Sequence, residues 1–101
     1  MLNSKQRAYL KSLASTMDTI LMLGKGGISP EVIKQADDAL TARELIKGKV
    51  LDTSPESVFE MAQKIAQDTA SEVVQVIGSK FVLYRRRKKD PVIQLPKSKG
   101  K

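Results

Sequence analysis

"LMLGKGGISPEV", residues 21–32, is the stretch on which the reading of this chain turns. A short apolar run ends at Leu23, three glycines and a lysine follow within four positions, and Ser29, Pro30 and Glu31 then open a helix. Ser29 is a good N-cap, Pro30 suits the first helical position, and Glu31 sets negative charge against the positive end of the helix dipole. A strand running through glycines into a helix N-terminus is a physical anion site, because the first helical amides are unpaired and glycine lets a phosphate approach the backbone. Lys25 adds a mobile positive charge at the tip. Neither common nucleotide fingerprint is met. The P-loop needs glycine where Thr19 stands and Ser or Thr where Gly26 stands, and the dinucleotide motif needs glycine where Ser29 stands. What remains is G-x-x-G, made by Gly24, Lys25, Gly26 and Gly27. A turn that only redirects the chain would use the same residues.

Working outward, residues 3–17 read as a helix capped by Asn3, with Gln6 completing a capping box and Leu10, Leu13, Ala14 and Met17 on one face. Lys5, Arg7 and Lys11 fall off that stripe and are expected in solvent. Residues 19–23 form a short strand. The helix after the glycine loop carries Ile33, Ala36 and Leu40 inward and ends near Arg43. Residues 44–51 form the next strand, in which Gly48 marks a bulge or a close backbone approach. Ser54, Pro55 and Glu56 repeat the helix start, ahead of Val58, Ala62, Ile65 and Thr69, with Phe59 and Ala66 beside them. Residues 72–77 and 80–87 form a hairpin about Gly78 and Ser79, with Phe81 and Leu83 on one face and Val82 and Tyr84 on the other. Asp90 and Pro91 turn the chain, residues 92–95 read as a short edge strand, and residues 97–101 are expected to be disordered. The fold class is α/β (α+β): a small mixed four-stranded sheet packed by three helices, in the order α-β-α-β-α-β-β. Parallel pairing through right-handed crossovers is expected for the β-α-β-α part. One domain spans residues 1–96.

Composition narrows the chemistry. The 101 residues contain no cysteine and no histidine, so disulfides, thiolate or imidazole metal sites, Ser-His-Asp triads and Cys-His dyads are excluded. No metal or other cofactor is implied. Asp37 and Asp38 form the only adjacent acidic pair, and neighbours on a helix point apart, so no catalytic residue and no enzyme is expected. Lys5, Arg7 and Lys11 interrupt any signal-peptide core, and the longest apolar run is too short for a membrane span. A cytoplasmic location is expected.

The net charge is +7, and it is unevenly placed. Residues 80–101 hold nine Lys or Arg against one acid, whereas the preceding 79 residues hold nine basic and ten acidic side chains. A near-neutral domain with a strongly basic end favours a polyanionic partner, nucleic acid before an anionic membrane. Arg85, Arg86 and Arg87, followed by Lys88 and Lys89, can fork phosphates bidentately. With the glycine loop and the Lys5, Arg7, Lys11 face they make three positive elements.

The segments "LGKGGIS", "ARELIKGKV" and "VVQVIGSKFVLYRRR", in that order and spacing, resemble the CRM domain family (chloroplast RNA splicing and ribosome maturation) from about residue 2 to Pro96. As a one-domain basic chain it is similar to the free-standing bacterial YhbY-like members. The resemblance implies an RNA-binding domain with a sheet similar to that of the C-terminal domain of translation initiation factor 3. It also implies a G-x-x-G loop, here Gly24 to Gly27, comparable with the backbone clamp of KH domains. KH domains carry that loop between helices, so the analogy is functional. Gly48 departs from the family, in which a larger apolar residue is expected. The implied partner is ribosomal RNA of large-subunit (50S) precursors, bound by a monomer that assists assembly without catalysis and without a membrane. The RNA-binding residues are then Gly24 to Gly27, Lys5, Arg7, Lys11, Arg85, Arg86, Arg87, Lys88 and Lys89. Phe59, Phe81 and Tyr9 are expected in the core, and Tyr84 is open to either role. A general RNA chaperone and a ribosome-associated protein-interaction module are the alternatives.

Overall fold

Asn3 accepts the amide of Gln6 at 2.8 Å while the Gln6 side chain accepts the amide of Asn3 at 3.1 Å. This reciprocal cap opens the first helix of a computed structural model that describes residues 2–53, 56–86 and 93. The elements are α1 (Ser4–Ala14), β1 (Leu21–Leu23), α2 (Pro30–Arg43), β2 (Leu45–Val50), α3 (Val58–Thr69), β3 (Glu72–Ile77) and β4 (Lys80–Tyr84), the order expected. α1 and β1 are shorter than their apolar patterns suggested, and β4 ends at Tyr84 rather than Arg87. Met17 lies beyond α1 yet still packs with its face. Arg87, the turn at Asp90 and Pro91, most of the 92–95 segment and the 97–101 tail lie outside the described residues.

The sheet order is β1-β2-β4-β3. β1 pairs with β2 in parallel, as expected, but β3, although it runs in the same direction, is not a neighbour of either. The last strand, β4, sits between β2 and β3 and is antiparallel to both. Its composition explains the position. Phe81, Val82, Leu83 and Tyr84 are all at most 5% exposed, and a strand apolar on both faces belongs in the middle of a sheet covered on both sides. α2 and α3 cover one face over Leu21, Leu23, Ile46, Val50, Phe81 and Leu83. α1 covers part of the other, over Leu45, Val74, Val82 and Tyr84.

Gly48 is a close approach and not a bulge. It lies opposite Phe81 in the antiparallel pair, and a Cβ built on it would come within 2.8 Å of three ring atoms. The Phe81 ring therefore occupies the space that a larger apolar residue at position 48 would fill. The bulge lies in β3, where the register slips between Val73 and Gln75.

The third helix starts later than its Ser-Pro-Glu signal indicated. Its N-cap is Ser57, boxed with Glu60, while Ser54 and Pro55 lie outside the described residues. With this start the buried stripe takes in Met61, Ala62, Ile65, Ala66 and Thr69. Phe59 points away at 59% exposure, so it is not a core residue, and Tyr9 at 39% is not one either.

Candidate nucleic-acid interface

β1 delivers the glycine loop, and the loop closes as a tight turn in which the Gly27 amide donates to the Gly24 carbonyl at 2.9 Å. The three glycines have different physical reasons. Gly27 sits at φ 63, the left-handed region that glycine adopts without strain. A Cβ on Gly24 would press on Thr53 and Leu51 at 3.2 and 3.3 Å. Among the described residues a Cβ on Gly26 would meet nothing within 4 Å, so none of them demands glycine there. Lys25 and Gly26 are exposed at the tip, and among the described residues their amides donate to no acceptor.

The helix start beyond the loop is less available to an anion than the sequence pattern suggested. Ser29 Oγ already accepts the Val32 amide at 3.2 Å, and Glu31 places a carboxylate in the first turn. The anion-accepting geometry therefore belongs to the turn amides and Lys25. The groove of about 700 Å³ between Ile28 and Asp68 is lined by two carboxylates, Asp37 and Asp68, against one lysine, Lys34, a net sign unsuited to phosphate.

The positive elements do not converge. The loop, the chain after β2 and the β3–β4 turn share one end of the sheet, whereas Arg85 leaves β4 at the other. Strands of five or six residues put these ends roughly 15–20 Å apart. Arg85 is held internally there. Its guanidinium pairs with the Asp37 carboxylate, and donates to Thr69 O at 2.8 Å, Asp37 O at 3.0 Å and Thr41 Oγ1 at 2.8 Å, tying β4 to α2 and α3. Asp37, itself half-exposed, is its counter-ion.

Arg7 is likewise engaged, and it is not the solvated residue expected. It donates to the carbonyls of Val73 at 2.6 Å and Val74 at 3.1 Å and pairs with Glu72 at 3.4 Å. Those carbonyls belong to the β3 bulge, where the strand ladder is interrupted and a donor from outside the sheet is needed. Lys5, Lys11 and Arg86 are exposed. Arg87, Lys88 and Lys89 lie outside the described residues. Arg85→Ala is therefore expected to cost about 1–3 kcal/mol of stability, while Arg86→Ala leaves the unfolding transition in place. Equal denaturation midpoints for the two variants would contradict the internal role of Arg85.

Tyr84 is not a stacking platform. It is 5% exposed, and its hydroxyl finds no partner among the described residues. Burial, and then the nearby Glu44 carboxylate, push its pKa up from 10.0. The folded state thus holds this proton more tightly than the unfolded chain, and stability falls as the pH rises above the ordinary phenol range. Tyr84→Phe is expected to remove that alkaline loss and to leave stability at neutral pH unchanged or slightly higher, readable as urea midpoints at neutral and alkaline pH. A large loss at neutral pH would reveal a hydroxyl partner.

Three residues escaped the sequence reading. Glu44 is fully buried at φ 68, caps α2, and accepts the Ile93 amide at 2.6 Å. Lys49 and Lys80 are direct cross-strand partners on the α1 side of the sheet. The alternation of Leu45, Lys47 and Lys49 was the available signal for the lysine face. Glu44 had no signal, since a helix-ending acid is ordinarily solvated.

Residues 2–85 match the model of the CRS1/YhbY (CRM) domain. The chain belongs to this CRM domain family. A Bacillus subtilis relative named "Probable RNA-binding protein YqeI" is 41% identical over 95% of this chain and 100% of its own length. A Haemophilus influenzae member named "RNA-binding protein" is 36% identical over 95% of this chain and 96% of its own. The solution structure of SAV1595 from Staphylococcus aureus superposes with a TM-score of 0.79 at 49% identity, covering 95% of this chain and all of that one. The CRM fold, with three helices on a four-stranded mixed sheet, is thus common to this chain and a solved structure.

Proposed function

We propose that this CRM protein binds RNA, that its RNA is ribosomal RNA in precursors of the large subunit, and that it assists their assembly without catalysis, as a cytoplasmic monomer. The observation that carries RNA binding is the glycine turn: exposed, with two undonated amides and Lys25 at its tip, in a family whose relatives are named for RNA binding. Gly26 sharpens the point, because its missing side chain serves no contact among the described residues. The ribosomal assignment rests on the resemblance to the bacterial YhbY-like members.

The test is in-cell crosslinking of the tagged protein with sequencing of the attached RNA, alongside Lys25→Glu and Gly26→Ala. Both variants are expected to keep the fold, since Lys25 is exposed and, among the described residues, a Cβ on Gly26 meets nothing within 4 Å. A dominant peak in large-subunit RNA that both variants lose is the expected result. Reads scattered over messages and small RNAs would replace it with a general RNA chaperone. No enrichment would favour a protein-interaction module on the ribosome.

A further inference from the structure

α1 leaves part of its sheet face uncovered. It ends at Ala14, where Lys47 Nζ donates to the carbonyls of Ala14 at 3.0 Å and Met17 at 3.5 Å, and the chain then turns away to β1. Past that point one further row of side chains crosses the sheet. The register sets Met22 beside Lys49, Lys49 opposite Lys80, and Lys80 opposite Ile77. All four are on the α1 side, because their strand neighbours Leu23, Val50, Phe81 and Val76 pack against the other core. Next to this row lies a groove of about 530 Å³ between Lys11 and the β3–β4 turn, with no acidic residue in its lining.

Two features of this row are costly to an isolated domain. Lys49 and Lys80 are like charges directly opposite each other, a destabilising cross-strand pair, and neither has an ion-pair partner among the described residues. Met22 and Ile77, which bracket them, are 62% and 59% exposed. Two facing cations between two exposed apolar side chains match the alternation of phosphates and base faces along an unpaired nucleic-acid strand. A duplex would hide its base faces from Met22 and Ile77. The row lies at the sheet end that carries the glycine turn, with Met22 two residues before Gly24, so one strand can reach both.

We propose that the Met22–Lys49–Lys80–Ile77 row is a binding surface for an unpaired RNA segment, continuous with the Gly24–Gly27 turn. This rests on the RNA-binding reading and adds the form of the RNA and where it lies. Lys49 and Lys80 hold phosphates, Met22 and Ile77 take base faces, Lys11 borders the groove, and Lys47 is excluded because it caps α1.

The probes are a fluorescein-labelled ten-nucleotide oligouridylate and a hairpin RNA with a paired stem, titrated against the full chain. Lys49→Gln with Lys80→Gln is expected to weaken oligouridylate binding at least tenfold, and to make its log-log salt slope shallower by about 1.4, two phosphates' worth. Met22→Ser with Ile77→Ser is expected to weaken binding at an unchanged slope. Because the chain has no tryptophan, Ile77→Trp supplies a sole reporter whose emission is quenched when a base stacks on it. Wild-type binding of both RNAs with undiminished affinity in the lysine pair variant would overturn this surface and leave the RNA-binding reading standing. So would preference for the stem with no tryptophan quenching. Binding of neither RNA would remove both.

Discussion

Phe81→Ala lowers the stability of this domain by about 3–5 kcal/mol, the range for a buried aromatic truncated in a packed core. The ring is fully buried, lies on the central strand, and packs over Gly48 between the sheet and helices α2 and α3. A domain of this size has roughly 5–15 kcal/mol in total, so the variant loses about a fifth or more of its margin. Urea denaturation reads this as a lower midpoint at an unchanged slope. Gly48→Ala tests the same contact from the other side and costs about 1–3 kcal/mol by overpacking. The two couple: in a Phe81→Leu background, where the ring is gone, Gly48→Ala costs less than in the wild type. Strict additivity, or a Phe81→Ala loss below about 1.5 kcal/mol, would show that the ring is not wedged against the glycine.

The second large effect is ionic. On the proposed function, binding to structured large-subunit RNA is expected to fall with salt at a log-log slope of about −3 to −5, if roughly four to six phosphates are contacted. From ~50 to ~200 mM salt the affinity drops roughly 10² to 10³-fold. Among the described residues Lys11, Lys25, Lys49 and Lys80 are grouped toward the glycine-turn end, Lys5, Arg43 and Arg86 lie toward the other, and none has an ion-pair partner there. A slope near the shallow limit would place the RNA at the turn end alone, and the steep limit would mean that it spans both. A slope near zero would remove the phosphate-track idea.

Element order was legible because local signals agreed. Asn3, Ser29 and the β-branched run 72–77 each marked an element that its neighbours reinforced. Strand adjacency was not legible from those signals, although the unbroken apolar run of β4 held the clue to its central place. The site was half legible. The glycine turn announced itself locally, since three glycines and a lysine need no partner to be noticed. The arginine run was legible only as charge, because charge along a sequence does not say which guanidinium, here Arg85, will be claimed by an acid elsewhere. Asp37 lies 48 residues before Arg85, and only the packed fold makes them neighbours. Phe59 and Met61 show the same limit on a helix. Two positions apart, they lie on opposite sides of α3, and packing buries Met61 and leaves Phe59 exposed.

The placement of β4 also sets an order of events during synthesis. The strand that joins the two halves of the sheet is the last to leave the ribosome. Until it does, the β1–β2 pair and β3 have no hydrogen-bonded contact with each other, and α3 has no complete floor to rest on. The nascent chain can form its helices and the parallel pair early, but closure waits for the β3–β4 hairpin to insert as one unit. A truncation that ends before Tyr84 would therefore not yield a smaller version of the domain, because it removes the keystone while leaving most of the arch.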